Sequence, residues 1–219
     1  ELVLVARRQD KLDALAEELR EEHGVEVTTI SLDLSEPDAA QRLWNETDRR
    51  GLHVDVLVNN AGFGTGKDVA DDAPERLEQE VRLNCLAVVG LTARYLPAMR
   101  KRGNGTIINI SSAAAFQPMP HMAVYGATKA FVLSFTEALW RETRRDGIRV
   151  LAVCPGSTDT PFFQVADEGT VVGRLRSTRQ VLDTTMRALR GSGPSVVDGL
   201  GNAVVARFLT RVLPQRALL

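Results

Sequence analysis

Short apolar segments alternate with amphipathic helical segments along the 219-residue chain, and this alternation constrains the fold more than any other feature. The run ELVLVA at 1–6 is continuously apolar, as expected of a strand that is covered on both faces of a sheet. It leads into a pattern at 9–23 with leucine and alanine at helical spacing, and Gly24 follows as a stop signal. Strands that are regularly separated by crossover helices predict an α/β fold with a doubly wound parallel sheet in three α/β/α layers.

The same alternation predicts the remaining elements. Further strands are predicted at 25–34, 54–62, 105–112, 148–156 and 195–198. Further helices are predicted at 35–50, 75–101, 122–146, 177–190 and 200–213. Residues 161–176 lack a firm period and indicate a mobile loop. The chain contains no internal repeat, low-complexity tract or linker, so 1–219 is predicted to be a single domain.

Charge and cysteine content argue against several classes of protein. The chain carries 27 basic and 28 acidic residues, so its formal charge of −1 gives no bulk attraction for nucleic acid or an anionic membrane. Its longest apolar runs have the length of strands, and we expect no membrane span. Cys85 and Cys154 are predicted to be buried, reduced thiols, as is typical of a cytoplasmic protein, and a disulfide between them is disfavoured. The sequence has no cluster of potential metal ligands, so no metal site is predicted.

Polar residues and glycines follow several of the predicted strands. They are Arg7 and Arg8, Asp33, NNAG at 59–62, Ser112, and PGSTDT at 155–160. The carboxyl ends of parallel strands share one edge of the sheet, and ligands bind there. Tyr125 and Lys129 lie four residues apart, on one face of a predicted helix, thirteen residues after Ser112. Each motif alone is also typical of an ordinary turn, but together they indicate one shared site.

In order and spacing, these motifs resemble the short-chain dehydrogenase/reductase family of nicotinamide-dependent oxidoreductases. The resemblance rests on NNAG, Asn84, Ser112 with YGATK at 125–129, and PGSTDT, and it covers essentially the whole chain. A tyrosine–lysine pair alone would be weak, but the serine thirteen residues earlier makes the combination specific. The resemblance implies a Rossmann-like fold and hydride transfer between NADP(H) or NAD(H) and a carbonyl or secondary alcohol.

The resemblance also assigns catalytic roles. Tyr125 would be the acid/base; a free tyrosine has a pKa of about 10, and the Lys129 ammonium one helical turn away is expected to lower it. Lys129 would also hold the nicotinamide ribose, and Ser112 would bind the substrate oxygen. Asn84 would hold a water that connects Lys129 to solvent; taken alone, the residue would better suit a solvent-facing helical position, but its placement relative to Ser112, Tyr125 and Lys129 favours the site.

The cofactor is expected to be NADP(H) rather than NAD(H). Arg7 and Arg8 follow the first strand, where an NAD enzyme carries an acid, and an arginine offers a planar fork of donors to a 2′-phosphate. We favour Arg7 as the direct ligand; the other interpretation is a solvated basic entry to the helix. The resemblance implies further cofactor contacts from Asp33, Leu34, Asn60, Ala61, Gly62, Tyr125, Lys129, Pro155, Gly156, Thr158 and Thr160. Thr158 stands where the family commonly has an aliphatic residue.

One family motif is absent from 1–219, namely the glycine-rich phosphate turn between the first strand and the first helix. By this resemblance ELVLVA corresponds to the second strand of the fold. We therefore expect roughly 25–30 further residues, a strand and a helix, before Glu1. We also expect a strand-wide gap between residues 2–6 and 55–60, nearly twice the usual separation of about 4.8 Å.

Other functions are less well supported. A serine hydrolase would need a G-x-S-x-G elbow, which the chain lacks. A nucleotide-binding regulator or scaffold without turnover is the main alternative, although an intact Ser112, Tyr125 and Lys129 argues against it. A substrate pocket near Tyr125, or ordinary loop packing, would use Phe116, Met119, Met122, Phe162 and Phe163. Helices 75–101 and 122–146 are expected to pair between subunits into a homodimer or homotetramer, with Val132, Phe135, Leu139 and Trp140 on the second helix.

Overall fold

The structure is a computed structural model that describes residues 1–160, 162 and 175–209, except for the side chains of 207 and 209. Within these ranges the strands are β1 (Leu2–Ala6), β2 (Val27–Ser31), β3 (Val56–Asn59), β4 (Gly105–Ile110), β5 (Ile148–Cys154) and β6 (Ser195–Val197). β1 pairs with β2, and a second sheet has the order β3-β4-β5-β6. Every pairing among these strands is parallel, which confirms the predicted doubly wound parallel architecture.

Helices connect the strands as the alternation predicts. They are α1 (Gln9–His23), α2 (Ala39–Arg49), α3 (Pro74–Val81), α4 (Ala87–Arg102), α5 (Ala123–Thr143), α6 (Thr178–Leu189) and α7 (Leu200–Val204). α1 ends at Gly24, which takes the left-handed conformation at φ 61° that glycine adopts without a steric cost. α6 begins with a capping box between Ser177 and Gln180. Most of the loop predicted at 161–176, and the end of the helix predicted at 200–213, lie outside the described residues.

The long helix predicted at 75–101 is interrupted. A π-helical turn at Arg82–Leu86 separates α3 from α4 and carries Asn84 and Cys85 into the interior, where they are 1% and 6% exposed. Such wide turns are rare in helices and occur often at functional sites. The spacing of apolar residues in the sequence does not reveal this turn, because the residues on both sides of it keep helical spacing.

The core lies between the larger sheet and the helices that cover it. Ile107, Val150 and Leu151 in its two central strands are at most 1% exposed. Gly105 opens β4 where Met99 of α4 packs, and a Cβ at this position would lie 2.7 Å from the Met99 side chain. Fully burying one apolar core side chain contributes about 1.5–3 kcal/mol to the stability of the fold. Cys85 and Cys154 are both buried, and no disulfide joins them, as predicted.

A buried polar chain ties the larger sheet to α5. The Asn59 amide donates to Asn109 Oδ1 at 2.8 Å, and the Asn109 amide donates to Thr136 Oγ1 at 2.9 Å. Asn59 and Asn109 are register partners in β3 and β4, so their side chains lie on one face. Because buried amides are costly when unpaired, this chain favours one register at the strand end that leads into residues 60–62.

The two sheets do not join, which confirms the expected gap. Within the described residues β1 pairs with β2 alone and β3 with β4 alone, so the facing edges of β1 and β3 have no strand between them. A cleft of about 880 Å³ separates them. Its lining includes apolar side chains of α4, namely Ala87, Val88, Leu91 and Tyr95. Among the described residues, no helix is both long and apolar enough to cross a membrane.

Candidate functional site

Lys129 is the buried cation of the site. It lies in α5, is 6% exposed, and its Nζ donates to the Ile110 carbonyl at the end of β4, at 2.9 Å. Burial is the main reason that its pKa falls to about 8, while the neighbouring groups Cys85, Glu80 and Cys154 act in the opposite direction. The Lys129 side chain therefore titrates close to neutrality instead of far above it.

Tyr125 lies one helical turn before Lys129, and the Lys129 Nζ is 5.6 Å from the centroid of its ring. The residues between Ser112 and Tyr125 fold back through a short 3₁₀ turn at Ala113–Phe116, with the Ser112 hydroxyl accepting from Ala114 N at 3.1 Å. This return brings the Ser112 hydroxyl near the Tyr125 phenol, close enough to act on the pKa of that group. Serine, tyrosine and lysine thus converge at the carboxyl end of β4.

The expected shift of the tyrosine pKa is reversed. The sequence predicts that Lys129 lowers the pKa of Tyr125, whereas the structure gives a raised value. Burial is the largest cause, the Ser112 hydrogen bond acts in the lowering direction, and Glu80 raises the value further. The physical reason is that removing the phenol from water penalises the phenolate more strongly than the nearby groups stabilise it.

Asn84 is held by three hydrogen bonds. Its amide donates to the Phe63 carbonyl at 2.9 Å and to Thr128 Oγ1 at 3.0 Å, and its Oδ1 accepts from Phe63 N at 3.2 Å. Gly62 packs directly against it, since a Cβ there would lie 2.8 Å from Asn84 Oδ1 and 3.5 Å from Lys129 Nζ. The residue is buried, so the solvent-facing interpretation is wrong, and its amide supports the backbone beside Lys129.

The PGSTDT segment follows β5 and lies beside the 3₁₀ turn that follows Ser112. The Pro155 carbonyl accepts from Ala113 N at 2.7 Å, which ties the two strand ends together. Thr158 Oγ1 donates to the Gly156 carbonyl at 3.0 Å, and Thr160 Oγ1 donates to the Thr158 carbonyl at 3.3 Å, so both hydroxyls bind local backbone. A Cβ on Gly156 would lie 2.1 Å from the Asn202 side-chain amide of α7, so Asn202 packs directly against this glycine.

The arginines lie on the smaller sheet, across the cleft. Arg7 is 67% exposed and forms a long ion pair with Asp33, at 3.8 Å, while Arg8 is exposed at the start of α1. Burial acts to raise the pKa of Asp33, but hydrogen bonds from Ser35 and the Arg7 charge outweigh it, and the pKa is lowered. The cleft is lined by both groups of predicted cofactor residues, namely Arg7, Asp33 and Leu34 on one side and Asn60, Ala61 and Gly62 on the other.

The apolar residues predicted for a substrate pocket fall into two groups, one beside Tyr125 and one that packs elsewhere. The Phe162 ring lies 5.3 Å from the Tyr125 ring, centroid to centroid. Met122 is 5% exposed and Phe116 packs against a buried cluster, so these two serve packing in part. Met119 contacts the backbone at Gly126, where a Cβ would lie 3.2 Å from its side chain. Phe163 lies outside the described residues.

Sequence reasoning missed three polar residues around Asn84 and Lys129. Thr128 accepts from Asn84, and Thr65 donates to Glu80, which is wholly buried in the last turn of α3. An acid four residues before a predicted site asparagine was a readable signal, because that spacing places both on one helix face. Among the described residues, no cluster of histidine, cysteine and acidic side chains could hold a metal ion.

Fold and site together define a doubly wound α/β protein with a serine, a tyrosine and a lysine converging at the carboxyl edge of its sheet. The chain belongs to the short chain dehydrogenase family, whose sequence model matches residues 1–170. This confirms the family resemblance drawn from the motifs.

Individual relatives agree with this assignment. The chain is 36% identical over 168 residues to very-long-chain 3-oxoacyl-CoA reductase of Bos taurus, a match that covers 75% of this chain and 53% of the relative. The chain thus spans about half the length of that relative. It superposes on a short-chain dehydrogenase from Sphingobium yanoikuyae in complex with NADPH, with TM-score 0.85, 30% identity, and coverage of 97% of this chain and 86% of the other. L-sorbose reductase from Gluconobacter frateurii, complexed with NADPH and L-sorbose, gives TM-score 0.77, 30% identity and coverage of 90% and 86%.

Proposed function

We propose that the protein is an oxidoreductase that transfers a hydride between NADP(H) and a carbonyl or secondary alcohol, with Tyr125 as the acid/base. The observation that carries this proposal is the convergence of Ser112, Tyr125 and the buried Lys129 ammonium at the carboxyl end of β4. A proton donor and a second hydroxyl side by side can hold one carbonyl oxygen from two directions.

Each side chain then has a defined part in the reduction. The Ser112 hydroxyl donates to the carbonyl oxygen and fixes its distance from Tyr125. Tyr125 gives its proton to that oxygen as negative charge develops there, and the Lys129 charge stabilises the phenolate that results. Asn84 keeps the Phe63 backbone in place, and its Oδ1 retains acceptor capacity for the water expected to connect Lys129 to solvent.

The residues around the cleft suit a dinucleotide. Gly62 leaves open backbone against Asn84 and Lys129, where a side chain would collide. The exposed Arg7 guanidinium offers a fork of donors for a 2′-phosphate, and its 3.8 Å pair with Asp33 is long enough to yield to a dianion. The bound cofactor supplies the hydride. NADPH is favoured because two similar structures, each 30% identical to this chain, are NADPH complexes.

We propose in addition that a further parallel strand belongs in the cleft, and that the working protein is one domain that contains it. The cleft of about 880 Å³ is bounded by two unpaired strand edges and by apolar α4 side chains. Backbone donors and acceptors along such edges are costly to leave unpaired in a core. A glycine-rich turn after that strand would complete the phosphate part of the site.

The substrate is proposed only as a class. The substrates that the relatives are named for range from a very-long-chain 3-oxoacyl-CoA to L-sorbose, so they share a carbonyl group rather than a shape. The Phe162 ring against Tyr125 makes one side of the site apolar and suits a hydrophobic or medium-sized ketone.

We also propose a cytoplasmic homodimer or homotetramer. Two buried thiols that no disulfide joins support a reducing compartment. For the interface, α5 offers Phe131, which is 43% exposed and stacked on Phe135 at 6.1 Å, with the partly buried Trp140 nearby in sequence. Val132 and Leu139, also expected on that face, are instead buried in the subunit's own core, at 1% and 5% exposure.

The test is a panel of ketones and secondary alcohols assayed with NADPH and with NADH, using the product of the whole coding sequence. The proposal predicts turnover of at least one ketone, faster at equal concentration with NADPH. NADPH binding without turnover of any panel member, in wild type and at several pH values, would instead favour a nucleotide-binding regulator or scaffold.

A further inference from the structure

Glu80 is a buried acid beside the proposed catalytic lysine and has no part in the mechanism above. It lies in the last turn of α3, four residues before Asn84, and its side chain has 0% exposure. A carboxyl group is rarely retained in such a position unless partners or a function compensate for its lost hydration.

Its two oxygens have different surroundings. Thr65 Oγ1 donates to Oε2 at 2.9 Å, and the Thr65 backbone also acts to lower the pKa of the carboxyl group. Oε1 is buried and has no hydrogen-bond partner in the structure. Glu80 is therefore held at one oxygen and under-satisfied at the other, a costly arrangement that packing alone does not explain.

The contact between Thr65 and Glu80 is connected to the proposed catalytic tyrosine through the backbone of residues 62–65. Residues 62–65 pass between two groups of side chains. Glu80 and Asn84 lie on one side of this segment, and Tyr125 and Lys129 lie on the other. At Gly62 a Cβ would lie 2.8 Å from Asn84, and at Gly64 a Cβ would lie 2.9 Å from the Tyr125 ring. The segment is thus in tight contact with the tyrosine and is anchored from behind by Glu80.

Charge links Glu80 to the same pair. Its carboxylate favours the Lys129 ammonium and disfavours the Tyr125 phenolate. Asp72, which precedes α3, also acts to raise the pKa of Glu80, and the Glu80 charge in turn acts to raise the pKa of Cys85 in the π-helical turn. Burial raises the pKa of Glu80 to about 7, so its charge changes near neutral pH.

We propose that Glu80 is a positioning residue for the tyrosine–lysine pair: through Thr65 it holds residues 62–65 against Tyr125, and its carboxylate stabilises the Lys129 ammonium. The catalytic part of this proposal rests on the proposed function, but the charge coupling between Glu80 and Lys129 can be measured without turnover.

The first experiment is NMR titration of the lysine Cε and Nζ signals in wild type and Glu80→Gln. The chain has four lysines, so the Lys129 signal can be assigned with a single Lys129→Arg variant. Glutamine keeps the size and the acceptor oxygen for Thr65 but cannot ionise. We expect the pKa of Lys129 to fall by about one unit in Glu80→Gln, the low end of the effect of a nearby opposite charge.

Two controls keep the result interpretable. Glu78→Gln makes the same change two residues away, on an exposed acid paired with Arg82, and should leave Lys129 unchanged. In wild type, the Lys129 signal should also show a second inflection near pH 7 as Glu80 titrates, a measurement that needs no variant to fold. An unchanged Lys129 titration in Glu80→Gln, or a wild-type curve with a single inflection, would overturn the proposal.

A kinetic arm tests the catalytic meaning. In the reductive direction the alkaline limb of the kcat profile should move to lower pH in Glu80→Gln, because both Tyr125 and Lys129 then lose their protons earlier. Glu78→Gln should keep the wild-type profile. A limb that does not move, together with a shifted Lys129 titration, would refute the positioning role. Absence of turnover in wild type would instead refute the proposed function and leave the NMR result to decide the coupling.

Discussion

Replacing Gly62 with alanine tests the packing of the site in one step. The backbone at Gly62 does not require glycine for its φ angle, so the effect of the added Cβ is steric. That Cβ would lie 2.8 Å from Asn84 Oδ1, closer than real Cβ contacts allow. The Asn84 amide cannot simply rotate away, because three hydrogen bonds of 2.9–3.2 Å hold it in a buried position.

The magnitude follows from those bonds. Losing two or three of them costs about 1 kcal/mol each, and a buried amide left without partners adds to this. The reduced freedom of the unfolded chain returns about 0.4–1 kcal/mol. We therefore expect Gly62→Ala to lower the free energy of unfolding by about 2–3 kcal/mol, since the bond losses exceed the entropic gain.

Urea unfolding followed by the fluorescence of Trp44 and Trp140 measures this change. Gly201→Ala is the matched control: a Cβ there meets nothing within 4 Å, so stability should hold or rise slightly. In a double-mutant cycle, Asn84→Ala should relieve most of the Gly62→Ala penalty, because it removes the atom that the new Cβ meets. Equal stabilities for Gly62→Ala and wild type, or full additivity in the cycle, would refute this account of the packing.

Three further predictions concern the cofactor, pH and assembly. Arg7→Asp should weaken NADPH relative to NADH by about 2–4 kcal/mol in titrations of both cofactors, and Arg8→Asp should change the ratio less; an unchanged ratio for Arg7→Asp removes it from the site. Because Glu80 binds its proton more tightly when folded, with pKa about 7 against 4.5, stability should fall as pH rises from about 4.5 to 7. At pH 8 the loss relative to pH 4 should be about 3 kcal/mol larger in wild type than in Glu80→Gln in urea titrations, and parallel curves would contradict it. Light scattering should find a homo-oligomer that Phe131→Glu dissociates; a monomeric wild type at micromolar concentration would disprove the interface.

The fold was predictable because its signal is local and repeated. Continuous apolar runs such as 148–156 and helical spacing such as 9–23 each report their element independently, and crossover connections then leave few topologies. The ends were less predictable: the strand predicted at 54–62 ends at Asn59. Beyond that residue the chain keeps contact with Asn84 and Lys129 through glycine backbone, which carries no strand or helix period.

The grouping of the candidate site residues was predictable where they sit at strand ends or at helical spacing. Ser112, Tyr125 and Lys129 meet because a strand end and the first turns of a helix share one sheet edge. The π-helical turn that buries Asn84 escaped prediction, as did the direction of the Tyr125 pKa shift. Both depend on three-dimensional burial, and Glu80 shows the difficulty most clearly: an acid in an acidic, exposed-looking helix is in fact wholly buried.

The most direct test of the central claim is the turnover of Tyr125→Phe, measured alongside NADPH affinity in the product of the whole coding sequence. Phenylalanine keeps the ring against Phe162 and removes only the phenolic hydroxyl. A general acid/base contributes about 10²–10⁴-fold, so ketone reduction should fall by that factor or more. NADPH affinity should stay within a few-fold of wild type, because Lys129 is retained. Turnover close to wild type would exclude Tyr125 as the acid/base and contradict the proposed mechanism.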